Sequence, residues 1–384
     1  MSKEIKPVTK PYQICTRCIM DTSDPDIVFD ADGVCNHCTA WFARADLHRL
    51  PREERARLLE TRVEEIKRRG HGKDYDCIIG VSGGVDSSYV AIKSRELGLR
   101  PLAIHVDNGW NSDKAVGNIK RILDPLRIDL STVVLNWKEF RELQLAFLRA
   151  STPDSEIPSD HAIVASFYEA SRRHRVGYCL TGINYRTEGI HAREWSQGHL
   201  DSRYISSVYR QFTGKRLRHF PLIPVSTLVL NIVLHRPRNV FLLDYFDYDK
   251  GAAKRLLMDS YGWEDYGGKH YESVYTRFYQ GWILPQKFGY DKRRMHLSTL
   301  ICSEQMTRSA ALEEIAFPAY PPEWVEPDTA FVAKKLGISR EEFAAIMAAP
   351  RKRYQDYPNL QNHWIFSHGL NLFRFFKHKL RWIS

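Results

Sequence analysis

The run Ser82-Gly83-Gly84-Val85-Asp86-Ser87-Ser88 constrains this chain more than any other segment. It follows the apolar stretch 75–81, which reads as a buried strand, and precedes 86–97, which reads as a helix. A strand that feeds a small, hydroxyl-rich turn opening directly into a helix belongs to an α/β fold. Such a turn aims free backbone N–H groups and the positive end of a helix dipole at one point, where an anion can sit. Gly83 and Gly84 let the backbone approach a ligand closely, and Ser82, Ser87 and Ser88 add hydroxyl donors. The spacing is neither G-x-x-x-x-G-K-[ST] nor G-x-G-x-x-G, which excludes a Walker loop and a dinucleotide fingerprint.

The same rhythm continues downstream. Residues 101–107, 131–135 and 176–182 read as further strands, and 113–124, 138–149 and 160–174 as helices. Short continuous apolar strands alternating with helices predict a doubly wound parallel sheet covered on both faces, with ligands at the C-terminal strand ends. Asp107 closes the second strand, while Gly182, Asn184 and Glu188 follow the fourth. Gly182 is expected beside an adenine, and Asn184 and Glu188 on ribose or magnesium; the competing role for Asn184 is a turn-forming side chain. Asp160 reads as a helix N-cap. His161 reads as an exposed first-turn histidine, either a substrate contact or without a role.

Upstream, Cys15-Thr16-Arg17-Cys18 and Cys35-Asn36-His37-Cys38 form two C-x2-C pairs with sixteen residues between them. That spacing predicts a closed, structural zinc site on two knuckles joined by a hairpin, a zinc ribbon. An iron–sulfur cluster uses the same thiolate chemistry and stands as the alternative. Of the seven cysteines, Cys77, Cys179 and Cys302 remain. The first two lie in apolar strand-like runs, where a thiol usually packs.

With 384 residues, 43% of them hydrophobic, the chain can bury a large core. The expected division is 1–50 zinc ribbon, 51–72 connecting helix, 73–220 nucleotide-binding domain and 221–384 a mainly helical substrate or partner domain. The polar start Met1-Ser2-Lys3-Glu4 carries no secretory signal, so the cytoplasm is the expected compartment. The longest apolar stretch, 220–234, is too short and too broken by proline to span a bilayer. A net charge of +10 suits an anionic ligand or partner without choosing among nucleic acid, nucleotide sugar and membrane surface. The basic, aromatic terminus 370–383 reads as a helix packed on the body, with weak contact to an anionic membrane as the alternative.

The glycine-rich segment 261–273, with Lys269 and His270, and the segment 287–298, with Lys292, Arg293 and His296, read as a site for phosphates inside an aromatic domain. The helices starting after Thr307 and Ser339 read as capped structural elements.

The Ser82–Ser88 loop resembles the SGGxDS signature of the PP-loop ATP pyrophosphatases, which split ATP between its α- and β-phosphates. Together with the cysteine pairs, residues 181–189, and the blocks 268–273 and 291–298, it is similar to the N-acetyl sugar amidotransferases of bacterial O-antigen and flagellar sugar biosynthesis. The likeness runs from about residue 12 to about residue 316. It implies ATP, magnesium and structural zinc as cofactors, a nucleotide-linked sugar as substrate, and no nucleic acid partner. It also implies ammonia from a separate glutaminase of the histidine-biosynthesis type with its barrel partner. In that reading Ser82, Gly83, Gly84, Asp86, Ser87 and Ser88 hold the triphosphate. Lys292 and Arg293 neutralise pyrophosphate, and His161, Lys269, His270 and His296 meet the sugar. The chain has no N-terminal cysteine and no Gly-x-Cys-x-Gly elbow with which to hydrolyse glutamine itself. The rival is a tRNA-thiolating enzyme, which shares the loop and the cysteine pairs and needs a reactive thiol beside the nucleotide.

Overall fold

The computed structural model describes residues 11–44, 47, 50–234, 237–268 and 271–362. Five strands, β1 (Cys77–Gly80), β2 (Pro101–Asp107), β3 (Asp129–Val134), β4 (Tyr178–Thr181) and β5 (Arg238–Phe241), form one all-parallel sheet in the order β3-β2-β1-β4-β5. β1 lies at the centre and is apolar throughout because both of its faces are covered. Ile78 joins Leu102, Ile104 and Cys179 under Ala170 of the helix Ile157–His174. On the opposite face Cys77 and Ile79 pack with Val90 and Ala91 of the helix Val85–Glu96. β3 departs from the expected continuous burial: Leu130 and Val134 are exposed, because an edge strand alternates between core and solvent.

Strand order reverses between β1 and β4, so their following loops diverge and leave a crevice at the C-terminal strand ends. The fold brings Gly182, just beyond β4, directly against Asp86 and Ser87 of the loop after β1.

The break expected at residue 220 is not a break in packing. β5 pairs in register with β4, Cys179 against Asn239 and Leu180 against Val240. The helix Lys250–Tyr261, which follows β5, lays Ala253 and Leu257 into the core under the phosphate loop. β5 is only four residues, Arg-Asn-Val-Phe, and with a single buried side chain it carries no apolar run to announce it. A second, aromatic core likewise crosses residue 220. Phe140, Phe147 and Tyr204 pack in one cluster with Phe278, Leu284, Val332 and Phe343.

The helix Arg52–Gly70 buries Leu59, Val63 and Ile66 as its apolar stripe predicts. Leu58, expected on that stripe, faces solvent, and Arg55 turns inward to pair with Asp247. Thr307 and Ser339 cap their helices as expected. No helix among the described residues is long and apolar enough to cross a membrane. The basic terminus 370–383 lies outside the described residues, as do Lys269 and His270.

Candidate active site

The loop after β1 is built by close backbone packing. Gly83 has φ +81°, and a Cβ there would meet the Ala115 carbonyl oxygen at 2.2 Å, so only glycine fits. Trp263 donates its indole N–H to the Gly83 carbonyl at 2.9 Å and fixes the turn from above. The Ser87 hydroxyl lies 3.3 Å from the Ser82 amide and 3.2 Å from the Gly84 carbonyl, closing the loop on itself. Ser82 is exposed at the cleft, whereas Ser88 is buried on the core side and does not present its hydroxyl to a ligand. The helix starts at Val85, so its first amides, which have no intrahelical acceptor, point into the cleft.

Asp86, in the first turn of that helix, is gripped from β5's side of the sheet. The Tyr248 hydroxyl donates to it at 2.6 Å and the Lys250 ammonium at 2.8 Å. Burial pulls the Lys250 ammonium down, but Asp86, with Glu188 and Glu272 beyond it, holds it above the ordinary lysine range. Burial and the Asp86 charge push the Tyr248 phenol well up, so it stays a donor. Lys250 is a cation beside a phosphate-type loop, and the sequence reading missed it. It lies about 160 residues downstream, after an unrecognised strand, and only the pairing of β5 with β4 brings it there. Asp86, Glu188 and Glu272 all act on the Lys250 charge from around it.

Other expected contacts are placed differently. Gly182 packs on the loop: a Cβ there would lie 3.0 Å from the Ser87 amide nitrogen, so a side chain would press on the turn. Asn184 is buried, its carbonyl oxygen accepts from the Thr187 amide, and its amide donates to the Gly182 carbonyl and the Thr187 hydroxyl. The turn-forming role therefore prevails over ribose or magnesium. Asp107 sits at the end of β2 and accepts from the Gly109 amide at 2.8 Å, shaping its own loop. His161 is fully buried, with Nδ1 at 2.6 Å from the His199 carbonyl and Nε2 accepting from the Ile223 amide. Both nitrogens are satisfied inside the core, and burial lowers its pKa, so it is not a substrate contact. His296 lies against the Thr187 carbonyl at 3.1 Å.

Lys292 and Arg293 are committed elsewhere. Arg293 forks onto Asp291 at 2.7 Å and onto the carbonyls of Glu314 and Phe317, a structural clamp rather than a pyrophosphate ligand. Lys292 enters a recessed cluster, 3.5 Å from Glu156. Burial opposes its charge, but Asp154, Glu156 and Asp160 raise its pKa. In the same cluster His199 lies 3.4 Å from Asp154 and 3.3 Å from Asp160. Those carboxylates outweigh burial and carry the imidazole up to about 10. Burial would raise Asp154, yet Lys292 and His199 keep it below the usual carboxylate range. Glu156 goes the other way, pushed up by burial and by Asp154 against the pull of Lys292.

The four cysteines Cys15, Cys18, Cys35 and Cys38 are buried and converge, their sulfurs all within 4.8 Å of one another. A tetrahedral zinc with Zn–S bonds of about 2.3 Å has S···S edges of about 3.8 Å. The Cys15–Cys38 and Cys18–Cys35 separations are 3.9 and 3.7 Å, so the set fits such an ion. The first pair sits on a turn whose carbonyls, Cys15 and Cys18, accept from Arg308. The second pair is carried at the start of the helix Asn36–Arg44 rather than on a second knuckle, and the segment between the pairs makes only isolated bridges. Cys302 places its sulfur 3.8 Å from that of Cys38.

The chain is thus an α/β protein with a five-stranded parallel sheet, a glycine–serine loop at the point where strand order reverses, a four-cysteine N-terminal segment and a helical C-terminal region. Residues 272–371 match the family described as "LPS biosynthesis protein WbpG-like, C-terminal domain". Among solved structures the chain is similar to an NH3-dependent NAD synthetase from Campylobacter jejuni, with 11% identity over 79% of this chain and 99% of that one, at a TM-score of 0.33. It is also similar to an NMN synthetase from Francisella tularensis, with 13% identity over 60% and 93%, at a TM-score of 0.30. No curated protein matches the sequence.

Proposed function

We propose that this chain is an ATP-dependent, AMP-forming amidotransferase that converts the acetamido group of a nucleotide-linked N-acetyl sugar into an acetamidino group for surface-polysaccharide assembly. The observation that carries this reading is the Asp86–Lys250 pair beside the Ser82–Ser88 loop, in a chain whose C-terminal region is similar to a lipopolysaccharide-biosynthesis family.

An acetamido oxygen is a poor leaving group. Its attack on the α-phosphorus of ATP expels pyrophosphate and leaves an O-adenylated imidate; ammonia then adds to the imidate carbon, loses a proton and expels AMP. The chain's part is to hold and neutralise the phosphates in a fixed frame. Ser82, Ser87 and the first amides of the helix Val85–Glu96 receive the phosphate oxygens, and Lys250 turns from Asp86 to the departing pyrophosphate. That frees Asp86, with Glu188, for magnesium, whose contribution is to offset phosphate charge. Trp263 and Tyr266 pack on the loop and hold its frame. Ammonia comes from a partner glutaminase, and the reaction belongs in the cytoplasm, where ATP is supplied.

The thiolating alternative draws no support from the cysteines. All seven are buried, and burial alone pushes the Cys179 thiol up to about 12, far from a thiolate at neutral pH.

The test is to supply purified protein with ATP, ammonium chloride and UDP-linked diacetamido sugars. AMP, pyrophosphate and amidine should form in equal amounts, and glutamine should not replace ammonium without the partner. If no sugar elicits AMP release, the reading fails. Sulfur or nitrogen transfer to tRNA in the same assay would replace it with the rival.

A further inference from the structure

The polar cluster around Lys292 lies on the same rim as the phosphate loop. The helix Ile157–His174 runs into β4, antiparallel to the strands, so its start lies at their C-terminal ends. Asp154, Glu156 and Asp160 flank or open that helix, and the neighbouring Ser159 hydroxyl accepts from Asn108, one residue beyond β2, at 3.0 Å. Lys292 and His199 arrive from the segments after Gly289 and after β4.

Three carboxylates face two cations here, which leaves one negative charge in excess when all are ionised. A neutral ligand rich in hydroxyl and amide groups finds both donors and acceptors here. The cluster also opens outward: the Asp160 side chain is 50% exposed and that of His199 31%, while Asp154 and Glu156 form a buried floor. Gln280, which donates to Glu156 at 2.6 Å, sits on the π-helical turn Tyr279–Ile283, a conformation that is rare and concentrated at functional sites. Two fully buried polar atoms at the flanks, the Trp195 indole N–H beside Ser196 and the Gln144 carbonyl, have no partner among the described residues. Burying charges here carries a desolvation cost that apolar residues of similar size avoid, so packing does not account for them.

We propose that Asp154, Glu156, Asp160, His199 and Lys292 form the subsite for the acceptor's sugar ring, with the nucleotide's phosphates held elsewhere. Asp160 and His199 meet ring hydroxyls at the open edge, and Lys292 donates to an amide or hydroxyl oxygen from the floor. This assignment rests on the amidotransferase reading for the identity of the sugar, but it makes its own claim about binding.

The test uses saturation-transfer NMR on the full chain with UDP-linked 2-acetamido and 2,3-diacetamido sugars, and with UDP alone. Wild type should show ring-proton contacts. Asp160→Asn, at a half-exposed position, and Glu156→Gln, nearly isosteric, should weaken sugar affinity at least about tenfold, leaving UDP and ATP binding unchanged. Melting curves establish that both variants are folded. Variants that bind every sugar as wild type does would overturn the subsite, and so would a wild type that binds no sugar more tightly than UDP. Loss of sugar affinity in the variants, with no AMP release from wild type, would keep the subsite and discard the proposed reaction.

Discussion

Two lysine–carboxylate pairs stand on the rim of this sheet, and they differ in what surrounds them. Lys250 and Asp86 adjoin a tight glycine–serine loop and the first amides of a helix, which can receive an anion, with Glu188 and Glu272 beyond them. Lys292 and Glu156 adjoin two further carboxylates and a protonated imidazole, a set of side-chain donors and acceptors of both signs. The same ion pair thus serves different chemistry according to its second neighbours. A lysine near a nucleotide fold is not by itself a phosphate ligand.

The comparison breaks most sharply at Asp86. Asp86→Asn should lower ATP-dependent turnover by ~10²–10³-fold, the scale of losing one preorganised electrostatic partner. Glu156→Gln should instead raise the acceptor KM while the ATP KM stays put. Steady-state assays with each substrate varied in turn separate the two, and equal effects on the ATP KM would erase the distinction.

Next in size is the cysteine cluster, which lies in neither neighbourhood. Cys18→Ser should abolish the one bound metal per chain, since structural zinc contributes on the order of 10 kcal/mol in small modules. Elemental analysis checks the loss. Proteolysis should then cut first within residues 11–44, and iron with labile sulfide in place of zinc would change the metal assignment.

Gly83→Ala probes the loop side by geometry alone. The clash with the Ala115 carbonyl and the left-handed φ should cost about 1–3 kcal/mol. The ATP KM should rise, with the acceptor affinity preserved in equilibrium titrations.

The smallest effect is a titration. With a folded pKa near 10, His199 should stay protonated through neutral pH in nitrogen-15 NMR spectra. Its pKa is raised above the unfolded value of about 6.5, so its stabilisation is complete below pH 6.5 and is lost as pH rises through about 10. Asp154→Asn should bring the midpoint down. A midpoint near 6.5 in wild type would mean that Asp154 and Asp160 do not hold the imidazole as the structure shows.

Much of the sheet was legible in the sequence because its strands are apolar runs bounded by turns. β2 matches its expected limits, 101–107. The loop was legible for the same reason, since glycines and serines between strand and helix have few other uses. β5 was not, because an edge strand with Arg238 and Asn239 lacks the run that marks a covered one. Missing β5 hid Lys250 and Tyr248, whose place depends on strand pairing rather than local pattern. Asn184 and His161 mark the opposite failure: polar residues at strand ends and helix starts look functional, yet here their hydrogen bonds close on the backbone. Of the cluster around Lys292 only that lysine stands out in the sequence as a site residue. Asp160 reads there as the N-cap of a helix that in fact starts earlier, at Ile157, and His199, Asp154 and Glu156 are not marked. The cluster draws on segments more than a hundred residues apart.

The helix Arg293–Cys302 begins beside Lys292 and ends with Cys302 against Cys38, spanning about 15 Å at 1.5 Å per residue. Along it Arg294 reaches the Ile19 carbonyl and Asp21, and Ser298 accepts from the Ile19 amide. The cysteine-bearing segment is therefore not an appendage that can be trimmed, transplanted or exchanged among relatives. A chimera that swaps residues 11–44 must bring a matching 293–308 with it, and any lineage that loses the thiolates must rebuild the strut that seats Lys292.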